Sequence, residues 1–175
     1  VSDSVIVIPN DKLLSIMDTK MKISECFGIV DSVLARTMKG IIGVIFSSGE
    51  NDINLDFMDL KTIMSHRGVA IAGIGESKGE KAASDGIKKA IELANIKETP
   101  IKNASGILVH FTMHPAFDFM KLSEAMEIIQ KNVAESTDVI FATTTNETLP
   151  IDFIRVTLVA TGFEKIHMEP ANNVF

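Results

Sequence analysis

The chain has 175 residues, 46% hydrophobic and 23% charged, enough to bury a core of ordinary domain size. Its net charge of -6 and isoelectric point near 5.2, with no basic patch, exclude a phosphate-backbone binder, so nucleic acid is not an expected partner. No apolar run reaches the roughly eighteen residues of a bilayer span, which argues against direct membrane insertion, and the single cysteine, Cys26, excludes an intrachain disulfide and a thiolate metal cluster.

In chain order, Val5 to Ile8 reads as a short apolar strand closed by Pro9, and Asn10 as the cap of a helical turn over Lys12 to Met17. A chain that opens on a strand with no earlier partner, without Met, reads as a piece of a longer protein. Ile23 to Phe46 predicts one long helix of about 36 Å. Its apolar positions 23, 26, 27, 30, 33, 34, 38, 41, 42 and 45 cover more than one stripe, so the helix wants cover from two bodies. Gly28, Gly40 and Gly43 each cost up to about 1 kcal/mol of helix propensity, for which close approach of a neighbouring element is the expected compensation. On that apolar surface Cys26 reads as a buried small hydrophobe, in keeping with a reducing, cytoplasmic setting.

Residues 47–56, SSGENDINLD, carry the turn signals of a loop. A helix over about 57–66 follows, with Phe57, Leu60, Ile63 and Met64 inward, Asp56 as N-cap and Asp59 as a first-turn acid, ended by Gly68. The back half then reads strand (69–74), helix (80–94), strand (107–111), helix (118–133, with Phe119, Leu122, Ala125, Met126 and Ile129 inward) and strands at 139–142 and 153–160. With the last two strands antiparallel, the fold class is α/β: a mixed four-stranded sheet packed by helices, behind the long helix. The tail from 164 is expected to be peripheral.

Few residues carry catalytic character unaided. His110 and His114 lack the cysteine or carboxylate that would complete a metal set, so no metal ligands are assigned and hydrogen-bonded or surface histidines are expected. The glycines of GIGESKG at 73–79 depart from the GxGxxG spacing of a dinucleotide fingerprint and read as a turn of small residues. Asn54, Asp56 and Asp59, gathered at a loop-to-helix junction, are of the types that orient and polarise a water for phosphoanhydride hydrolysis, and equally of the types that cap a helix. By themselves they have nothing to attack, because the chain holds no phosphate cradle.

The runs VIVIPNDKLL at 5–14, INLDFMDLKTIMS at 53–65, GIGESKGEKAA at 73–83 and RVTLVATGF at 155–163 resemble the FtsZ family of bacterial cell-division GTPases, relatives of tubulin. The resemblance covers essentially the whole chain but only the second half of that family's folded core. It implies a remnant of an N-terminal GTP-binding domain at 1–22, a central linking helix at 23–46, a synergy loop at 47–56, a C-terminal domain at 57–163 and a tail at 164–175. It further implies that Phe27 packs on guanine and Asp31 reads its edge, and that Asn54, Asp56 and Asp59 reach into the nucleotide pocket of the next subunit. On that reading the full-length protein binds GTP or GDP, with Mg²⁺, and forms a head-to-tail homopolymer in the cytoplasm at the mid-cell division ring. The missing N-terminal half would be a further partner, and division-ring proteins would dock on a tail beyond Phe175. This chain alone is then expected to be inactive and to hold no nucleotide tightly. Two departures stand out: a loop about two residues longer than usual before Asn54, and Met58 where a small alanine is usual. The competing reading is a stand-alone mixed-sheet ligand-binding or oligomerisation module without catalysis.

Overall fold

The computed structural model describes residues 4–8, 21–46, 52–66, 68–95 and 100–163, with the side chains of Ile23 and Phe46 excepted. The expected turn at 12–17, the start of the loop at 47–51 and the tail from 164 lie outside these residues. Five strands, β1 (Ser4–Val7), β2 (Gly68–Lys78), β3 (Gly106–Met113), β4 (Asp138–Thr145) and β5 (Phe153–Phe163), form one mixed sheet in the order β1-β2-β5-β3-β4. Among the described residues four α-helices flank it: α1 (Ile23–Phe46), α2 (Phe57–Ser65), α3 (Ala82–Ala94) and α4 (Met120–Asn132).

Two features differ from the sequence expectation. The sheet has a fifth strand, because β1 pairs in parallel with β2 at the edge, Val5 opposite Val69. The last two strands run in opposite directions without touching, since β3 lies between them, parallel to β4 and antiparallel to β5. The reason is burial. From Ile154 to Thr161 only Arg155 is less than fully buried on β5, and a strand covered on both faces belongs at the sheet centre. On β4 only Ala142 and Thr143 are buried, which suits an edge.

Alternation along the strands divides the core in two. Ile71, Ile107, Val109, Phe111, Ile154, Val156 and Leu158 face α3 and α4, meeting Ile87, Ala90, Leu122, Ala125 and Ile129. Ala70, Ala72, Leu108, Ala142 and Val159 face the other way, onto Val44 of α1 and Leu60 and Ile63 of α2. The GIGESK run is strand rather than turn. Its glycines let α3 lie directly on β2: a Cβ on Gly75 would stand 2.8 Å from Ala90 N and collide with Gly86 O, and one on Gly73 would stand 2.9 Å from Ala94 Cβ. The turn itself comes at Gly79, with φ +93°.

On the opposite face α1 lies close for a similar reason. A Cβ on Gly40 would run into the Thr157 side chain, and one on Gly43 would stand 3.0 Å from His110 Cε1, whereas Gly28 faces open space. Glu76 of β2 accepts hydrogen bonds from Arg155 of β5 (2.6 Å) and Arg36 of α1 (3.3 Å), tying helix to sheet. Only one stripe of α1 is covered, through Val33, Thr37, Gly40 and Val44. Phe27 (65% exposed), Leu34 (50%), Met38, Ile42 and Ile45 remain open, and Cys26 is half-buried rather than enclosed. Two expected core residues also lie outside: Phe57 and Phe119 stand at the first turn and the N-cap of their helices, where the chain has not yet reached the sheet.

Candidate functional site

The acidic junction is built on the edge strand β4. Asp52 accepts a hydrogen bond from the Thr145 amide at 2.7 Å. One residue on, the Ile53 amide donates to Thr143 Oγ1 at 2.7 Å and the Ile53 carbonyl accepts from the Thr143 amide at 3.0 Å. Ile53 thereby occupies a ladder position on the open edge of the sheet, and Leu55 packs partly into the α1/α2 face. Between and beyond these anchors the polar groups are turned outward: Asn54, Asp56 and Asp59 are all exposed.

Asp56 and Asp59 form a reciprocal capping box at the start of α2. Asp56 Oδ1 accepts from the Asp59 amide at 2.8 Å, and Asp59 Oδ2 accepts from the Asp56 amide at 3.3 Å. Capping therefore does not compete with a second role. A carboxylate carries about four acceptor sites, so each acid keeps acceptor capacity toward solvent while its cap bond fixes where it points. Beside them Phe57 and Met58, 65% and 61% exposed, give the acids an apolar surround.

Phe27 and Asp31 sit one turn apart near the other end of α1, both exposed. The structure does not bring them to the acids. The helical rise between Phe27 and Gly43 is about 24 Å, and the acidic segment is anchored at the Gly43 end.

Both histidines are engaged in hydrogen bonds within the chain. His110 is 3% exposed on β3, with Nε2 2.8 Å from Thr144 Oγ1, and His114 Nδ1 accepts from the Ala116 amide at 3.0 Å. Among the described residues no three His, Cys, Asp or Glu side chains converge on a possible ion. Burial pushes the His110 imidazole down from the ordinary 6.5 to about 4, against the opposing pull of Asp52. Sequence reading missed the anchoring role of Asp52, Thr143 and Thr145. The available signal was the Thr-Thr-Thr run at 143–145, polar where a buried strand would be apolar.

The profile described as FtsZ family, C-terminal domain, matches residues 68–164, more than half of the chain. The chain belongs to the FtsZ family. Two Helicobacter pylori proteins, each named cell division protein FtsZ, are 41% and 40% identical over 164 residues. These alignments take in 94% of this chain but only 42% of either relative, so the chain spans less than half their length. Among solved structures, a mutant M. jannaschii FtsZ superposes with a TM-score of 0.80 at 32% identity, covering 92% of this chain and 47% of that one. An empty M. jannaschii FtsZ dimer gives the same score and identity over 91% and 45%. CetZ2 from Haloferax volcanii shares the fold at 15% identity, with a TM-score of 0.66 over 94% of this chain and 48% of its own. The FtsZ profile begins at β2, so membership rests on β2 to β5 with α3 and α4, and the acidic junction lies just ahead of it.

Proposed function

We propose that this chain is the C-terminal part of a polymerising cell-division GTPase, and that it lends Asn54, Asp56 and Asp59 to the nucleotide pocket of the adjacent subunit. The observation that carries this is separation. Phe27 and Asp31 are fit to hold a guanine base, an exposed ring for stacking and a carboxylate one turn on to accept from the base's ring N–H and amino group. The acids lie at the far end of the same helix, farther away than one nucleotide extends from base to γ-phosphate. Acids and base-reading residues of one chain thus suit two nucleotides, one on each side of a head-to-tail contact. The open apolar stripe of α1 fits the same reading, as a surface for the N-terminal half of the longer protein.

In that arrangement GTP is held by its own subunit while the neighbour's Asp59 and Asp56 accept hydrogen bonds from the attacking water. The water oxygen bonds to the γ-phosphorus, the bond to the β,γ-bridging oxygen breaks, and the water's proton passes to carboxylate or phosphate, giving GDP and phosphate. Asn54, on the extended residues before the cap, offers an amide to orient the same water. Mg²⁺ accompanying the triphosphate would be held mainly by phosphate and water and would offset the phosphate charge. Hydrolysis is then a property of the filament at the division ring, and residues 1–175 alone neither hydrolyse GTP nor bind it tightly.

In full-length protein, Asp59→Ala should lower assembly-stimulated turnover on the order of 10²-fold with GTP affinity of the unassembled subunit unchanged. Asp56→Ala should add about 1 kcal/mol of lost stability, because it also removes the N-cap. Turnover per subunit that does not depend on protein concentration, or micromolar GTP binding by residues 1–175, would contradict the proposal.

A further inference from the structure

A histidine in the middle of a sheet face needs a reason. His110 is enclosed on every side, its Nδ1 has no partner, and an apolar side chain of similar size would fill the space without the desolvation cost. What the imidazole adds is direction. Nε2 shares a hydrogen bond with Thr144 Oγ1 at 2.8 Å, which fixes the ring plane whichever of the two groups donates. The same Cε1–Nε2 edge of the ring lies against α1 at Gly43, where a Cβ would stand 3.0 Å from Cε1 and 3.5 Å from Nε2. The tip of the imidazole is therefore the point at which α1 and β4 meet through one side chain. The residues either side of its hydrogen-bond partner, Thr143 and Thr145, are the two that hold Ile53 and Asp52. Three residues past Ile53 comes Asp56.

We propose that His110 is a positioning residue for the acidic junction: lying against Gly43 and hydrogen-bonded to Thr144, it sets where the Thr143–Thr145 bench lies relative to α1, and so where Asn54, Asp56 and Asp59 are presented. This rests on the reading that those acids serve a neighbouring subunit. Buried as it is, the imidazole acts only through Thr144 and the bench.

The test uses full-length protein in two arms. In the first, backbone amide resonances of Asn54, Asp56 and Asp59 are followed in the unassembled, GDP-bound state for His110→Leu, His110→Gln and Thr144→Val. Leu and Val remove the ring's hydrogen bond and should shift all three amides; Gln, whose terminal amide can reach Thr144, should leave them near their original positions. In the second arm kcat of the assembled protein should fall on the order of tenfold for His110→Leu and Thr144→Val, since small misplacements of a water-orienting group are costly. GTP affinity should be unchanged, Gln should recover most of the rate, and the double variant should be no worse than either single. Unmoved amides in Thr144→Val, or moved amides with full kcat, would overturn the proposal. Thr144→Val keeps the shape of its parent, so the test stands if His110→Leu fails to fold. Asp59→Ala in the same assay separates the two layers: full activity there sinks the acid reading, and the amide arm then decides the positioning claim alone.

Discussion

The two faces of the sheet are built to different ends. Toward α3 and α4, the residues from Ile71 to Leu158 make one continuous apolar cluster, and Gly73 and Gly75 bring helix and strand into direct backbone contact. Toward α1 and α2 the cluster is smaller, and it is edged by His110, Thr157 and Thr161, all buried and polar. Here α1 leaves a second apolar stripe uncovered and the chain leaves the sheet through exposed acids. One face is closed by packing, and the other leaves apolar and acidic groups exposed. On the function proposed above, the alternation of the strands segregates packing from activity.

Truncating the closed face should cost most. Phe111→Ala removes a fully buried ring that meets Phe141 edge-on at 6.4 Å, and should cost about 3–5 kcal/mol. Phe27→Ala, an aromatic of the same size on the open stripe, should change stability by about 0.5 kcal/mol or less. Denaturant midpoints compare the two, and equal losses would dissolve the distinction between the faces.

The polar edge of the open face predicts a pH dependence. His110 takes up its proton only near pH 4 in the folded chain, whereas the unfolded chain takes it up near 6.5. Between those values the unfolded state binds more protons, so stability rises with pH through this window and falls on acidification, by up to about 3 kcal/mol at the acid end. The difference between wild type and His110→Gln isolates this slope from the carboxylates that titrate nearby. A difference that stays constant from pH 7 to 4 would show that the imidazole is not held neutral.

Smaller effects should distinguish the two ends of α1. Gly40→Ala drives a methyl into Thr157 and should destabilise by about 1–3 kcal/mol. Gly28→Ala meets nothing within 4 Å and should stabilise by about 1 kcal/mol through helix propensity. Thermal or denaturant unfolding of the pair reads opposite signs if only the C-terminal part of α1 is seated on the sheet.

Much of this was legible in the sequence because it depends on local pattern. The period of α1, its excess of apolar positions and the Asp56–Asp59 spacing gave the long helix, its incomplete cover and the cap. The fifth strand was not legible: β1 pairs with β2 across sixty intervening residues, and nothing within either strand names its partner. The same holds for the insertion of β5 between β2 and β3, which follows from relative burial of whole strands. Phe57 and Phe119 were misplaced because periodicity locates a helical face but not where along the helix the sheet begins. For the site, residue types gave the acids, whereas the bench at Thr143–Thr145 and its tie to His110 depend on contacts across 30 to 90 residues of chain.

The central claim is that these acids act on a neighbour's nucleotide, and a mixing experiment addresses it most directly. GTP turnover is measured for full-length Asp59→Ala protein alone, and again blended with a second variant that cannot bind nucleotide but keeps Asp59. The account predicts low turnover alone and recovery in the blend, because each Asp59-bearing subunit completes the pocket of an Asp59→Ala neighbour. Equally low turnover in the blend, with filaments intact, would contradict it and confine Asp59 to its own subunit.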